Sequence, residues 1–294
     1  MDKFYFSVVI PTYKDSQRLK LCLDGLARQK IGLENFEVIV VNNDPFGNVE
    51  IDQQFFSQLN LKVLEEKTPG SYAARNLGIK HATAKILALT DSDCIPDPEW
   101  LQNAKKYFDI DADQSLGIVA GNVPLFFKDP EALTYAQIYE KYTGFSIEQY
   151  AKSGHAITAN WYSYKTVLKE FGGFNSSLKS NGDSDLSKRI ASKHKVIYAP
   201  DVVVRHPARY QVTELVYKYR RLIGGTYQRK FQNRPLAFLG HTVNFTWRRA
   251  KFAVKKIFTV HPKESWAITV VCVAIAWGAW KEYFALIRGQ ETKR

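Results

Sequence analysis

Cysteine is scarce. The 294 residues hold only Cys22, Cys94 and Cys272, odd in number, far apart and without metal-ligand spacing. That excludes a disulfide framework and points to a reducing compartment. The amino terminus lacks the apolar stretch of a signal peptide. Its apolar run is only about six residues and ends at Pro11, so it reads as a strand. Internal repeats and low-complexity tracts are also missing. With 45% hydrophobic and 14% aromatic residues, general disorder is excluded and one large core is possible. Acidic residues run short only toward the carboxyl end. Residues 205–294 contain 18 Lys and Arg against 4 Asp and Glu, whereas 1–204 are close to neutral. A basic region on a near-neutral body implies an anionic partner, membrane or nucleic acid.

The first 125 residues alternate between β-rich runs and helical patterns. Strands are expected at Tyr5–Ile10, Glu37–Val41, Leu61–Leu64, Ile86–Thr90 and Gly117–Val123. Helices are expected at Gln17–Lys30, Ser71–Ala82 and Pro98–Phe108, the last with Asp97 as N-cap and Pro98 at its first position. Such alternation predicts an α/β fold with a mostly parallel sheet, whose ligands bind at the carboxyl ends of the strands. Beyond it, Ala132–Tyr142, Ser163–Phe171 and Ser184–Lys193 read as helices. Val196–Tyr198 and Val202–Arg205 read as strands split by Pro200-Asp201, and Gln211–Gln232 as a basic amphipathic helix.

Five constellations carry candidate chemistry. Asp91-Ser92-Asp93 follows the apolar run Ile86–Thr90, which puts two carboxylates at the ligand edge. Asp93 is a direct metal ligand there, and Asp91 a partner for a sugar, a ribose or a metal-bound water. Hard Mg²⁺ or Mn²⁺ prefers such oxygens. Pro11, Thr12 and Tyr13 end the first strand at the same edge, where an aromatic ring can flank a base; an ordinary strand-to-helix turn capped by Asp15 or Ser16 is the plainer reading. Gly70 allows a tight turn before Arg75 and Asn76, and Arg75 can reach a base carbonyl or phosphate. Asp183 opens a helix after Gly172-Gly173-Phe174, placed for general-base work or simply as a cap. His206, past Val202–Arg205, is a candidate metal ligand.

Taken in order, Ile10-Pro11-Thr12-Tyr13, Gly70 with Ala74-Arg75-Asn76, Asp91-Ser92-Asp93, and Gly172-Gly173-Phe174 with Asp183 resemble glycosyltransferase family two over about residues 5–210. The resemblance implies the GT-A nucleotide-diphospho-sugar transferase fold and an inverting sugar transfer. It further implies Thr12 and Arg75 near the nucleotide, Asp91 and Asp93 at sugar and metal, and Asp183 as base. The cofactor would be Mg²⁺ or Mn²⁺. Two positions depart from the family pattern. Where an acidic pair often contacts the base, this chain has Val41-Asn42-Asn43-Asp44, so Asn42, or Asp44 one step on, would take that contact, with a UDP-sugar favoured. Where Glu-Asp is common at the base position, it has Gly182-Asp183, with Asp185 as the alternate.

This reading divides the chain into a catalytic domain, 1–210, and a membrane-associating region, 211–294. The catalytic domain has a nucleotide-sugar half, 1–125, and an acceptor half, 126–210, with Trp161 and His155 among its candidates. The C-terminal region has basic amphipathic helices and an apolar segment, 266–287, carrying two charges near one end. That segment is marginal for a span of ~20 residues, and an in-plane anchor competes. The expected place is the cytoplasmic face of the cell membrane. The partners are a nucleotide-diphosphate sugar, a glycan or lipid-linked acceptor in polysaccharide or glycolipid biosynthesis, and an anionic membrane surface. Nucleic acid is not expected, for want of a recognition motif. A non-catalytic membrane-tethered nucleotide-sugar or glycan binding module is the alternative.

Overall fold

The computed structural model describes residues 3–293. They form two compact units. One runs to Pro124 and adds Phe145–Ser177 and Gly182–His206; the other takes Leu125–Gly144, Leu178–Asn181 and the chain from Pro207 onward. Residues 125–144, expected in the acceptor half, therefore cluster with the C-terminal helices.

In chain order the strands are β1 (Phe6–Thr12), β2 (Phe36–Asn42), β3 (Leu61–Glu65), β4 (Ile86–Leu89), β5 (Ile95–Pro96), β6 (Leu116–Asn122), β7 (Leu125–Phe126), β8 (Trp161–Tyr164) and β9 (Lys195–Pro207). The helices are α1 (Ser16–Ala27), α2 (Gln53–Gln58), α3 (Ser71–His81), α4 (Trp100–Asp109), α5 (Tyr135–Thr143), α6 (Ile147–Lys152), α7 (Lys165–Glu170), α8 (Gly182–Ala191), α9 (Val212–Thr226), α10 (Pro235–Ile257) and α11 (Pro262–Ile287).

The first unit is built on a sheet in the order β3-β2-β1-β4-β8-β6-β9-β5. Strands β1 and β2 are buried along their whole length, as continuous apolar runs covered on both faces must be. They pair in parallel with Thr12 beside Asn42, and Asn42 in turn beside Glu65 of β3. The carboxyl ends of three strands therefore line up at one edge. Strand β4 runs parallel to β1, with Val9 beside Leu89, so the chain leaves it at that edge as Thr90–Asp93.

The second half of the sheet is less regular. Strand β8 inserts antiparallel between β4 and β6, so the sheet is mixed. The helix expected over Ser163–Phe171 is instead β8 followed by the short α7. The aromatic residues Trp161, Tyr162 and Tyr164 are buried there, and burial in a sheet overrides local helical spacing. The two strands expected around Pro200-Asp201 form one long strand, β9. Its register against β6 slips at that point, from Ala199 opposite Gly121 to Val203 opposite Asn122. Helix α4 starts at Trp100, two residues later than expected. Asp97 accepts the Trp100 N–H through its backbone oxygen instead of capping.

Gly78 lets α3 lie against the sheet. A Cβ at this position would collide with Val9 of β1 and meet Val41 of β2 at 3.3 Å. Overpacking of this kind costs about 1–3 kcal/mol. Gly78→Ala is expected to lower unfolding stability by that amount in urea titration.

The second unit is helical. Its core gathers Tyr139 of α5, Leu215 of α9, Ala253 of α10 and Ile268, Val271 and Ile275 of α11. A second cluster joins Ile223, Phe238, Ala279, Tyr283 and Leu286. A capping box of Thr134 and Gln137 starts α5. The helix expected over Gln211–Gln232 ends as α9 at Thr226. It continues as a π-helical turn, Tyr227–Phe231, and breaks where Asn233 takes φ 68° before Pro235 opens α10. Helix α11 is long and apolar enough to cross a membrane by length and composition alone. It starts at Pro262 under a His261 cap, four residues before the expected segment, and one of its faces is packed into the unit.

Candidate active site

Asp91 and Asp93 stand where the chain leaves β4, at the edge that Thr12 and Asn42 share. The two carboxylates have separate partners. Asp91 pairs with Nη2 of Arg75, whose side chain is 4% exposed. Arg75 also donates to the Ser71 carbonyl at 3.3 Å, and its guanidinium lies 6.0 Å from the Tyr72 ring centroid. Its Nε is buried without a hydrogen-bond partner among the described residues.

Asp93 faces a different group. Its Oδ2 lies 3.5 Å from Nη1 of Arg18 and 3.8 Å from Nε2 of His206. The Cys94 sulfur is 3.8 Å from Oδ1. Asp93, Cys94 and His206 each offer one ligand atom, all within 4.8 Å of one another. Burial raises the Asp93 carboxyl above the ordinary carboxylate range. Asp91 and Asp15 push the same way, while His206 and Arg18 oppose them. Burial also holds the Cys94 thiol well above its usual value, with Asp91 and Asp93 adding to the shift.

His206 is held by its own backbone, which donates to the Pro124 carbonyl at 3.0 Å, and by Phe145, which meets the imidazole edge-on at 5.3 Å. Asp15 sits at the N-cap position of α1 but does not cap it. Its carboxylate accepts from Arg18 Nε at 2.7 Å and from the Ser92 hydroxyl at 3.1 Å. Ser92 thus spends its hydroxyl on Asp15, which fixes the turn between the two aspartates.

Asp183 lies in the first turn of α8, and its Oδ1 accepts from the Ser184 N–H at 2.8 Å. Burial raises its pKa. The Ser184 N–H and the charge of Arg75 pull it down, and the charge of Asp91 pushes it up. Asp183 therefore stands in the electrostatic field of the Arg75–Asp91 pair. The turn before it is fixed by Tyr72, whose hydroxyl accepts from the Gly182 N–H at 2.9 Å and whose ring stacks on Phe174 at 5.6 Å. Gly182 leaves room for that ring, since a Cβ would stand 2.7 Å from it. Asp185 is tied to Arg189 at 3.1 Å, and the same guanidinium donates to the Phe171 and Gly173 carbonyls.

The Thr12 side-chain oxygen is buried with no hydrogen-bond partner among the described residues. Tyr13 is 58% exposed just beyond β1, with the Lys14 ammonium 5.4 Å from its ring centroid; Pro11 is a buried strand residue. Asn42 donates to the Gly47 carbonyl at 2.7 Å and accepts from the Asp44 N–H at 3.0 Å. It also lines a cavity of about 250 Å³ with Val49, Ile51, Phe56 and Val63. Asp44 accepts from the Phe46 N–H and stands 4.0 Å from Lys14.

Gly70 adopts φ 131°, in open space, so conformation and not crowding requires glycine there. Its N–H donates to the Asn43 side chain, whose amide also holds the Glu66 and Thr68 carbonyls. Asn76 commits its whole amide to Phe174, donating to the carbonyl at 2.7 Å and accepting the N–H at 2.9 Å. It anchors the Gly173-Phe174 turn. Trp161, an acceptor candidate from sequence, is a fully buried strand residue bonded to Ser163.

Sequence reasoning missed Arg18, Asp15, Cys94, Asn43 and Tyr72 as parts of this arrangement. Cys94 could have been found from its place beside Asp93. Asn43 stands between the candidates Asn42 and Asp44, and the others are joined to the site only by the fold.

Removing Arg75 strands a carboxylate. Breaking a buried ion pair from one side costs about 3–5 kcal/mol, and the partial exposure of Asp91 puts this pair at the lower end. Arg75→Met is expected to cost about 3 kcal/mol in urea unfolding, and the double variant with Asp91→Asn is expected to recover part of it.

Residues 7–171 match the family described as Glycosyl transferase family 2. Glycosyltransferase AglE of Haloferax volcanii is 34% identical over 229 residues, covering 76% of this chain and 73% of AglE. The next curated relatives are much longer, and the chain spans less than a quarter of each. Among solved structures, the mannosyltransferase PcManGT from Pyrobaculum calidifontis, in complex with GDP-Man and Mn²⁺, superposes with a TM-score of 0.61. It is 19% identical, with 94% of this chain and 87% of that one covered. Staphylococcus aureus TarS 1–349 in complex with UDP-GlcNAc gives a TM-score of 0.53 at 19% identity, covering 97% and 92%. The fold is the GT-A fold, and the chain belongs to glycosyl transferase family 2.

Proposed function

We propose that this glycosyltransferase moves a sugar, with inversion, from a nucleotide-diphosphate sugar to a hydroxyl of a glycan or lipid-linked acceptor. The observation that carries the reading is the Arg75–Asp91 pair at the end of β4, with Asp93, two residues on, 3.8 Å from His206 of β9, and Asp183 in the field of Arg75 and Asp91. Asp183 and Asp91, far apart in sequence, act on one another electrostatically.

The donor set fits a divalent cation. Asp93 and His206 present an oxygen and a nitrogen a few ångströms apart, and a buried carboxylate crowded by Asp91 and Asp15 gains from a nearby positive charge. The hard carboxylate suits Mn²⁺ or Mg²⁺, as does the company of a diphosphate, and the imidazole favours Mn²⁺ of the two; Cys94, held as a thiol, is the weaker ligand. When bound, the cation supplies neutralisation of the diphosphate charge that grows as the sugar departs.

The chain's own groups do the rest. The unpartnered Thr12 hydroxyl and Arg75 Nε receive the nucleotide. The base is assigned to the cavity beside Asn42, and a UDP-sugar is the favoured donor. Asp91 holds the sugar through the carboxylate oxygen not engaged by Arg75. Asp183 takes the proton of the acceptor hydroxyl as the acceptor oxygen bonds to the anomeric carbon. The bond from that carbon to the diphosphate oxygen breaks, and its electron pair leaves with the nucleoside diphosphate. Attack on the face opposite the leaving group inverts the centre, and one base suffices. Asp185 is unsuited to this task because Arg189 occupies it.

The C-terminal unit is assigned to an anionic membrane at its cytoplasmic face, in line with its excess of Lys and Arg. Polysaccharide or glycolipid assembly is the corresponding process. The test is a panel of nucleotide sugars with Mn²⁺ or Mg²⁺, scored by diphosphate release and thermal shift. Metal-dependent release from one UDP-sugar is expected. Release from a GDP-sugar alone would overturn the nucleotide, and no release from any would overturn the enzyme.

A further inference from the structure

We infer that α10 and α11 each set an exposed apolar stripe into the headgroup boundary of an anionic bilayer, lying in its plane, with neither helix crossing it. This deepens the membrane reading of the C-terminal unit and rests on it.

Helix α10 has two apolar faces. Phe238, Thr242 and Ala253 are buried within the unit. A second row points outward at helical spacing: Val243, Trp247, Val254 and Phe258, from 49% to 81% exposed. A helix at a water-exposed surface ordinarily carries polar residues there. Directly beside this row run Arg248, Lys251 and Lys255, also exposed and also at helical spacing. An apolar row edged by cations is the pattern of a helix lying in a membrane interface.

Helix α11 repeats the pattern. Its inner face holds Ile268, Val271, Ile275 and Ala279. Its outer face shows Trp266, Val273, Trp277 and Phe284, between 47% and 65% exposed. On the inner side Glu282 is fully buried and paired with Arg220 of α9 at 2.8 Å. The helix has therefore spent one side on its own unit, and only a stripe remains for lipid. A spanning helix would carry that buried ion pair into the hydrocarbon, where charges are costly.

One contact occurs on both helices. Lys251 lies 5.3 Å from the Trp247 ring centroid, and Lys281 lies 5.5 Å from that of Trp277. Each is a tryptophan followed four residues later by a lysine on the exposed face. Tryptophan favours the acyl–headgroup boundary, and lysine reaches from there to lipid phosphate. The occupant is therefore an anionic lipid surface. Nucleic acid would use the cations and leave the apolar rows in water, and a second copy would set like charges against each other.

The test is co-sedimentation of the full chain with phosphatidylcholine vesicles with and without phosphatidylglycerol. Binding to the anionic vesicles is expected. It should weaken at least about tenfold in Trp247→Gln/Trp277→Gln, and show a smaller salt dependence in Lys251→Glu/Lys255→Glu. The Trp→Phe pair retains binding and shows that the loss is not misfolding. Alkaline carbonate releases the bound protein. Equal sedimentation of the Trp→Gln pair overturns the inference, as does carbonate resistance with a protease-protected C-terminus. Binding to duplex DNA but not to vesicles overturns it as well. Sedimentation needs no sugar donor, so its result stands apart from that of the diphosphate-release assay.

Discussion

Asp93→Ala lowers nucleoside diphosphate release roughly a thousandfold or more while the protein stays folded. Stabilisation of a developing charge by a bound metal supplies several kcal/mol, and each 1.36 kcal/mol is a factor of ten. Asp93 is the carboxylate of the Asp93–Cys94–His206 group, and no other acidic side chain among the described residues joins it there. The fold does not depend on it. Its contacts with Arg18 and His206 are long, at 3.5 and 3.8 Å, and its neighbours on two sides are acidic. Thermal shift separates the effects. Mn²⁺ with a nucleoside diphosphate raises the melting temperature of the wild type by mass action, and that increment disappears in Asp93→Ala. Unchanged release would remove Asp93 from the metal site.

Asp183→Asn costs about 10²–10⁴-fold in kcat for transfer, the range that general-base catalysis contributes, with donor binding retained. Asparagine keeps an oxygen to accept the Ser184 N–H, so α8 still starts in the same way. Because the carboxyl is raised by burial, the acidic limb of the wild-type pH profile lies above the ordinary carboxylate range. Activity rises with pH as the base ionises. The same shift carries a stability cost. A folded-state pKa above the unfolded one contributes stability below the unfolded pKa and loses it as pH rises through the folded value. Asp183→Asn is therefore expected to be at least as stable as the wild type at neutral pH, where it has lost most activity. Asp185→Asn disturbs only a half-exposed pair with Arg189 and should cost less than about tenfold.

The first half of the sheet was legible because β1, β2 and β4 are largely apolar runs and β3 carries Leu61, Val63 and Leu64. Phe6–Thr12, Phe36–Asn42, Leu61–Glu65 and Ile86–Leu89 lie within two residues of the sequence expectation. The short tripeptide Asp91-Ser92-Asp93 could be placed at the ligand edge once β4 was recognised. The later half was harder. Trp161–Tyr164 is a strand whose neighbours are β4 and β6, and no local pattern announces an antiparallel strand inserted between them. The grouping of α5 with the C-terminal helices was equally hidden, since Tyr139 meets Leu215 and Ile268 only in the folded unit. His206 was visible as a candidate, but its approach to Asp93 spans more than a hundred residues. Arg18 and Asp15 looked like an ordinary helix start, and their contacts with Asp93 and Ser92 arise only from packing.

The most direct measurement is anomalous diffraction from crystals grown with Mn²⁺ and a nucleoside diphosphate. The account predicts a manganese peak within coordination distance of the Asp93 carboxylate and His206 Nε2, touching the diphosphate. A peak held by other residues, with the diphosphate away from position 93, would contradict it.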